Sequence, residues 1–176
     1  MSSLDIRPEA ACDLDGIREV NVEAFRDHPI SRQTEHLIVD ALREAGSLEV
    51  SLVAVGEGRV IGHIALSKAR VGDMSSGWFL LGPLAVLPDL QGQGIGSALV
   101  ESALAELRSM AADGCVLVGD PDYYRRFGFS TFPGLTHEGV PDQYVLALPF
   151  TEFAPRGGIS AHSAFEVEPN GDQGRV

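Results

Sequence analysis

The sequence predicts an α/β fold, in which helices cover both faces of a mixed β-sheet. Runs rich in β-branched and aromatic residues alternate with amphipathic helical segments along the chain. The 176 residues, 44% of them hydrophobic, suit one domain built around a single core. The segments follow the order two helices, hairpin, strand, helix, strand, short helix and two weaker strands, which is typical of layered α/β proteins.

Two amphipathic helices are predicted near the start of the chain. The first begins after a candidate N-cap at Asp13, and the second begins near Ser31 or Thr34 and ends before Gly46. The apolar residues at helical spacing are Leu14, Ile17, Val20, Ala24 and Phe25 in the first helix, and Leu37, Ile38, Ala41, Leu42 and Ala45 in the second.

The strands are predicted from β-rich runs bounded by turn residues. Residues 48–55 and 60–66 form a hairpin around Gly56-Glu57-Gly58, and a third strand covers residues 78–86. A helix with one apolar face follows at 94–112, and the wholly apolar run 115–118 predicts a buried strand. A short helix at 122–127 and weaker strands at 130–132 and 144–148 complete the domain.

The composition argues against several classes of function. A formal charge of −12 and a pI near 4.7 disfavour nucleic acid as a partner and favour a cationic substrate at long range. No apolar run reaches the roughly 20 residues of a membrane helix, and the N-terminus resembles no signal segment, so we expect a cytoplasmic protein without a membrane partner. The five His residues show no ligand spacing, so no metal is expected, and Cys12 and Cys115 are expected to be free thiols.

The most informative segment is the glycine-rich loop between the third strand and the helix that follows. Gly92, Gly94 and Gly96 stand at the entrance of that helix. Such a loop leaves backbone N–H groups without internal partners, and the helix start adds about half a positive charge, so a diphosphate can bind there. A P-loop is excluded because no Lys stands near these glycines, and their spacing of two does not match a dinucleotide-binding fingerprint.

Two sequence blocks resemble a known family. Gln91-Gly92-Gln93-Gly94-Ile95-Gly96 resembles the central motif of the GNAT acyltransferases, which is Gln or Arg, two residues, Gly, one residue, and Gly or Ala. Tyr124-Arg125-Arg126-Phe127-Gly128-Phe129 is similar to the Tyr-x-x-x-Gly-Phe of the same family. The sequence as a whole looks most like the YhbS-type branch of that family. We therefore expect a GNAT domain at residues 1–153, followed by a C-terminal extension at 154–176 that is disordered at least over 169–176.

The resemblance implies a mostly antiparallel sheet with two splayed parallel strands, and acetyl-CoA as co-substrate. The acetyl group would lie between Val86 and Val118. Many members carry an Asn after the later strand, whereas this chain has Gly119-Asp120-Pro121, so that contact is not assigned. The cofactor-binding residues implied by the family are Leu84, Ala85 and Val86 for the pantetheine, the N–H groups of Gln91, Gly92, Gln93, Gly94, Ile95, Gly96 and Ser97 for the diphosphate, and Tyr124 and Phe127.

The resemblance also implies a reaction, in which an acetyl group passes to a primary amine of a small molecule or a protein. The backbone N–H of Val86 would stabilise the oxyanion, and Tyr124 would protonate the leaving thiolate, with Tyr123 as a second candidate. Tyr124 has an alternative role as a core aromatic beside Phe127 and Phe129. Candidates for the general base are Glu23, Glu35 and His63. The alternative function is a non-catalytic acyl-CoA sensor with the same fold. The enzyme or the sensor would be a monomer or a homodimer.

Overall fold

The computed structural model describes residues 3–74 and 76–169. Its strands, in chain order, are β1 (Asp5–Pro8), β2 (Val50–Gly56), β3 (Arg59–Lys68), β4 (Arg70–Val71), β5 (Trp78–Val86), β6 (Gly114–Val118), β7 (Leu135–Thr136), β8 (Val145–Pro149) and β9 (Gly157–Ser160). Its α-helices are α1 (Leu14–Phe25), α2 (Glu35–Glu44), α3 (Ile95–Ser109) and α4 (Pro121–Tyr124). Single 3₁₀ turns cover Ala11–Asp13, Pro88–Leu90, Arg125–Phe127, Asp142–Tyr144 and Ser163–Glu166.

The larger sheet has the strand order β1-β2-β3-β5-β6-β8. All its neighbouring pairs are antiparallel except β5 and β6, which confirms the predicted mixed, mostly antiparallel sheet. Successive side chains of a strand point to opposite faces, so the neighbours of Ile64 and Ala65 in β3 show what covers each face of the sheet. Ile64 packs in the cluster that contains the apolar residues of α3, whereas Ala65 packs with Ile17 of α1 and Val39 of α2. Helices therefore cover both faces.

The predicted hairpin is confirmed, and its turn explains the register. Gly56 pairs with Arg59, and Glu57 and Gly58 between them have φ angles of +51° and +78°. A two-residue turn with both φ angles positive matches the right-handed twist of the flanking strands. Gly58 adopts this conformation without the steric penalty that a side chain brings.

Asp13 does not act as the predicted N-cap of α1. Its side chain makes no capping bond to the helix, because its carboxylate accepts bonds from the Ala10 N–H at 2.7 Å and from the Arg7 guanidinium at 2.7 and 3.1 Å. Asp13 is nearly buried and ties the helix start to β1, an edge strand that the sequence pattern missed. The Arg7 hydrogen bonds hold the pKa of Asp13 below its usual range.

The strand predicted at residues 130–132 is wrong. Ser130 makes one isolated bridge to Ala147, and the chain then turns, with the Leu135 N–H donating to the Phe132 carbonyl at 3.1 Å. Pro133 and Gly134 stand inside that turn, and such residues end strands. The strand predicted at 144–148 is confirmed, with its start at Val145.

Part of the predicted C-terminal extension packs on the rest of the chain. Strand β9 pairs with β4 and with β7, and this second sheet buries Ile159 beside Val71 and Trp78. Ala164 of the last 3₁₀ turn is buried against Ile38 and Leu42 of α2, with Phe165 and Val167 partly buried there. The domain boundary at 153 stays a prediction, and residues 170–176 of the segment expected to be disordered lie outside the described residues.

No helix in the described ranges is long and apolar enough to cross a membrane.

Candidate active site

The central feature of the site is the point at which β5 and β6 part. Their parallel pairing joins Trp78 with Gly114, Phe79 with Cys115 and Leu80 with Val116, and it ends there. Beyond this point β5 stays paired with β3 as far as Val86, and β6 stays paired with β8 as far as Val118. A gap therefore opens between the two strands, as the family resemblance implies.

An irregularity in β5 coincides with this parting. Leu81 lies opposite Leu66 and Leu84 lies opposite Ile64, so β5 has one residue more than β3 over this stretch. The extra length falls at Gly82 and Pro83, where Gly82 has a φ angle of +144°. Proline has no N–H to donate, which makes it suited to a bulge and unsuited to a regular central strand.

The backbone groups of Val86 face the gap. The Leu87 N–H donates to the Ile61 carbonyl of β3 at 3.0 Å, so the alternation of an antiparallel pair turns Ala85 toward β3 and Leu84 and Val86 away from it. In agreement with this geometry, the Val86 carbonyl accepts a bond from the side-chain amide of Gln91 at 3.0 Å. The Val86 N–H points to the same side as its carbonyl.

The facing strand offers a matching group. The Gly119 N–H donates to the Tyr144 carbonyl at 3.0 Å on the β8 side, so the N–H of the preceding residue, Val118, points toward the gap. The Val118 side chain is 47% exposed although it is apolar and sits at the end of a buried strand. Both edges of the gap thus carry unpaired backbone groups.

The glycine-rich loop enters α3 beside the end of β5. Gly92 and Gly94 have φ angles of +77° and +87°, which glycine adopts most readily. The first bond of the helix runs from the Ala98 N–H to the Gly94 carbonyl at 3.0 Å. The N–H groups of Ile95, Gly96 and Ser97 therefore have no acceptor within the helix, and they add to the partial positive charge of its N-terminus.

The loop residues fall into two groups. Gly92, Gln93 and Gly94 are exposed, whereas the Ile95 side chain is buried in the main core and anchors the helix start. Gln91 already uses its N–H, which donates to the Pro88 carbonyl at 3.3 Å. Its side-chain bond to Val86 ties the loop to the strand, a role that the sequence motif did not reveal.

Tyr124 lies at the end of α4, packed against the exit of β6. A Cβ atom added to Gly119 would lie 2.6 Å from a carbon of the Tyr124 ring, so the ring rests directly on the backbone there. The ring also lies 5.9 Å from that of Phe129 and 6.2 Å from that of Phe127, centroid to centroid. Burial raises the pKa of the Tyr124 phenol well above its ordinary value, so the phenol carries its proton at neutral pH, as an exposed tyrosine also does.

Tyr123 turns in a different direction from Tyr124. The two rings meet edge to face, 4.9 Å apart, and a Cβ atom added to Gly96 would lie 3.0 Å from the Tyr123 hydroxyl. The Tyr123 hydroxyl therefore lies over the first turn of α3, beside the free N–H groups. The ring of Phe127, half-buried against the main core, lies 5.5 Å from that of Tyr123.

The three candidate bases occupy unlike surroundings. Glu23 forms an ion pair with Arg26 at 2.7 Å. His63 is fully buried between Ser51 at 2.9 Å and Asn21 at 3.3 Å, and burial lowers its pKa to about 3. Glu35 accepts a bond from the Ser31 hydroxyl and lines a small cavity with Asn21, Phe25 and His36.

Metal-ligating residues do not cluster in the described part of the chain. No group of three or more His, Cys, Asp or Glu side chains there could hold a metal ion. Cys12 is exposed, Cys115 is buried, and both are free thiols, as expected.

Residues 47–131 match the family model for the acetyltransferase (GNAT) domain. The chain is 34% identical over 136 residues to the uncharacterised N-acetyltransferase YjhQ of Escherichia coli strain K12, covering 76% of this chain and 72% of YjhQ. It is 37% identical over 125 residues to the N-acetyltransferase YhbS of the same strain, covering 70% of this chain and 72% of YhbS.

Two solved structures share the fold over nearly the whole chain. A GNAT family acetyltransferase from Brucella melitensis, in complex with acetyl-CoA, matches with a TM-score of 0.83 and 45% identity over 93% of this chain and 98% of its own. YhbS from Escherichia coli, in complex with CoA, matches with a TM-score of 0.83 and 29% identity over 95% and 94%.

Proposed function

Because the chain belongs to the GNAT family of acetyltransferases, we propose that it transfers an acetyl group from acetyl-CoA to a primary amine of a small molecule or a protein. The observation that carries this proposal is the gap between β5 and β6, lined by unpaired backbone groups and adjoining the start of α3. Backbone groups that face the gap from both strands suit a thioester arm held in extended form. The complexes of the two similar structures with acetyl-CoA and CoA support the same co-substrate.

Acetyl-CoA would lie along the gap between β5 and β6 and across the start of α3. The diphosphate would accept bonds from the N–H groups of Ile95, Gly96 and Ser97, which need no Lys or Arg to bind an anion. The pantetheine arm would pair with the backbone at Leu84 and Val86 as an added strand does, because both residues face the gap. The exposed loop at 92–94 would border the diphosphate, and Phe127 would contact the cofactor beside the two tyrosines.

The chemistry needs an oxyanion donor and an acid. The Val86 N–H, directed at the gap, would stabilise the tetrahedral oxyanion. Tyr124 would protonate the leaving thiolate, since a phenol carries its proton at neutral pH and lies here at the exit of β6. In this proposal Tyr124 is both the general acid and a packed aromatic residue, because its packing against Gly119 and Phe129 orients the phenol.

The amine must lose a proton before it attacks. An alkylamine with a pKa near 10.4 is only about a thousandth free base at pH 7. Glu35 suits the role of base better than the other two candidates, because it lines a cavity while Glu23 is ion-paired and His63 is sealed in the core. We place the catalytic domain at residues 1–153 and the protein in the cytoplasm, as a monomer or homodimer.

The test is turnover. We expect free CoA to be released when purified protein and acetyl-CoA meet a panel of polyamines, amino acids, aminoglycosides and peptides. Because the exposed Cys12 reacts with the thiol reagents that detect CoA, a Cys12→Ser variant gives the cleaner background. Tight binding of acetyl-CoA in a calorimeter without turnover of any amine would contradict catalysis and support the sensor.

A further inference from the structure

Two adjacent arginines after α4 have different partners. Arg125 forms an ion pair with Asp122 at 2.5 Å, and both side chains are largely exposed. Arg126 instead lies over the ring of Tyr123, with its Cζ atom 4.4 Å from the ring centroid, and its Nε–H donates to the Tyr123 carbonyl at 2.8 Å. Within residues 3–74 and 76–169, no carboxylate lies within ion-pair distance of Arg126.

Tyr123 links this cation to the proposed cofactor site. Its hydroxyl lies over Gly96, in the turn of α3 whose N–H groups lack acceptors, and its ring carries the Arg126 guanidinium. Arg126 is therefore held one aromatic ring away from the proposed diphosphate position. Other described cations, such as Arg59 and Arg108, also form no ion pair, so what distinguishes Arg126 is its place beside the proposed diphosphate position.

We propose that Arg126 binds a phosphate group of coenzyme A, and that Tyr123 is the positioning residue that aims it. The proposal rests on the proposed function, because it adds a side chain to the same cofactor site. Stacking on a ring limits the freedom of the guanidinium before binding, and Nε uses one of its five N–H donors. The remaining four donors form a planar fork that matches two phosphate oxygens.

The test compares the two arginines by calorimetry with acetyl-CoA. Charge-assisted hydrogen bonds have strengths that predict a loss of affinity of about tenfold to a hundredfold for Arg126→Gln. Arg125→Gln is the matched control and should stay within about twofold, because its exposed pair with Asp122 contributes little. Arg126→Lys should fall between them, since it keeps the charge and loses the fork.

Binding of dephospho-CoA identifies the phosphate. If Arg126 contacts the diphosphate, as the position of Tyr123 over α3 favours, Arg126→Gln weakens both ligands by the same factor. If it contacts the 3′-phosphate, the loss disappears with dephospho-CoA, and either result supports the proposal. Equal affinities of wild type, Arg125→Gln and Arg126→Gln for acetyl-CoA would overturn it while leaving the proposed function intact. Failure of the wild type to bind acetyl-CoA would overturn both.

The positioning role of Tyr123 has its own measurement. Tyr123→Phe keeps the stacking ring and should bind acetyl-CoA nearly as wild type does, whereas Tyr123→Ala should weaken binding. In the double variant Tyr123→Ala with Arg126→Gln, the two losses should not add, because both remove the same contact. Additive losses would show that Tyr123 acts independently of Arg126 and overturn this part. Unchanged circular dichroism and melting temperature confirm that each variant is folded.

Discussion

Tyr123 and Tyr124 are neighbours in sequence, but different glycines make room for their rings. Gly96 leaves space for the Tyr123 hydroxyl above α3, and Gly119 leaves space for the Tyr124 ring at the end of β6. Gly119 belongs to the segment in which the sequence departs from the family pattern, where many members carry an Asn. The ring of Tyr124, the proposed acid, packs against this same segment. The motif predicted that Tyr124 matters, but spacing alone could not separate its surroundings from those of Tyr123.

Replacing Tyr124 by Phe tests the acid role. The variant keeps the ring and its packing but deletes the donor, so we expect kcat to fall by about 10²–10⁴ with affinity for acetyl-CoA nearly unchanged. Tyr124→Ala is the structural counterpart and should cost several kcal/mol of stability, about 3–5 by analogy with other large aromatics. A Phe variant and a Tyr123→Phe, Tyr124→Phe double variant that both retain full activity would contradict a phenol donor.

A charge at Gly94 tests the proposed diphosphate site. Gly94→Glu should weaken acetyl-CoA binding at least about tenfold, because its carboxylate would stand beside the phosphates. Since Gly94 has a φ angle of +87°, any side chain there costs about 1–2 kcal/mol of stability. Gly94→Ala carries the same penalty and, like Glu, begins in open space, so it isolates the charge. Equal calorimetric affinities for the two variants would argue against a diphosphate at this loop.

At the scale of elements, the sequence predicts the long segments, the short strand β6 and the short helix α4, but it misses the shortest strands. Strand β5 and helix α3 follow from periodicity and from the glycines at their junction. Strands β4 and β9 have two and four residues and pair across roughly ninety positions of sequence, so no local pattern reveals them. The bulge in β5 was also missed, although Gly82 and Pro83 are typical residues for one.

The packing of β9 predicts where the C-terminal segment matters. Ile159→Ala should destabilise the protein by about 2–5 kcal/mol, because its side chain is buried between the second sheet and Trp78. Phe153→Ala, at a site that is 67% exposed, is the matched control and should change stability by less than about 0.5 kcal/mol. Urea denaturation measures both. An Ile159 variant as stable as the control would mean that β9 contributes nothing to the core.

A truncation addresses the remaining residues. Removing 170–176 should leave the melting temperature and the activity unchanged, a prediction that rests on their polar, glycine-containing sequence. Differential scanning calorimetry of the shortened chain is the measurement. A fall of several degrees would show that these residues contribute to the fold.

For the molecule as a whole, His63 predicts a dependence of stability on pH. Burial, with a smaller effect of the Arg43 charge, lowers its folded pKa from 6.5 to about 3, so between these values the unfolded state binds more protons. The contribution of His63 to the free energy of unfolding is thus essentially complete above pH 6.5, and it is lost as the pH falls toward 3. His63 alone should account for about 2 kcal/mol between pH 7 and 5.

Urea denaturation at pH 7, 6 and 5 measures this slope. His63→Gln, which cannot titrate, should flatten it even if the variant is less stable at every pH. Asp13 does not disturb the comparison, because its lowered pKa places its own loss of stability at lower pH. An unchanged slope in the variant would show that His63 is not the group responsible.

The parting of β5 and β6 leaves the two halves of the main sheet joined at only three paired positions, from Trp78 to Leu80. A ligand seated in the gap would complete the sheet, and amide hydrogen exchange would record it residue by residue. The amides of Leu84, Val86 and Val118, which face the gap, should exchange more slowly with acetyl-CoA bound. Those of Ala85 and Leu117, already bonded to β3 and β8, should hardly change. Uniform slowing along both strands would indicate general rigidification, while alternation would show that the co-substrate is held as a strand between two others.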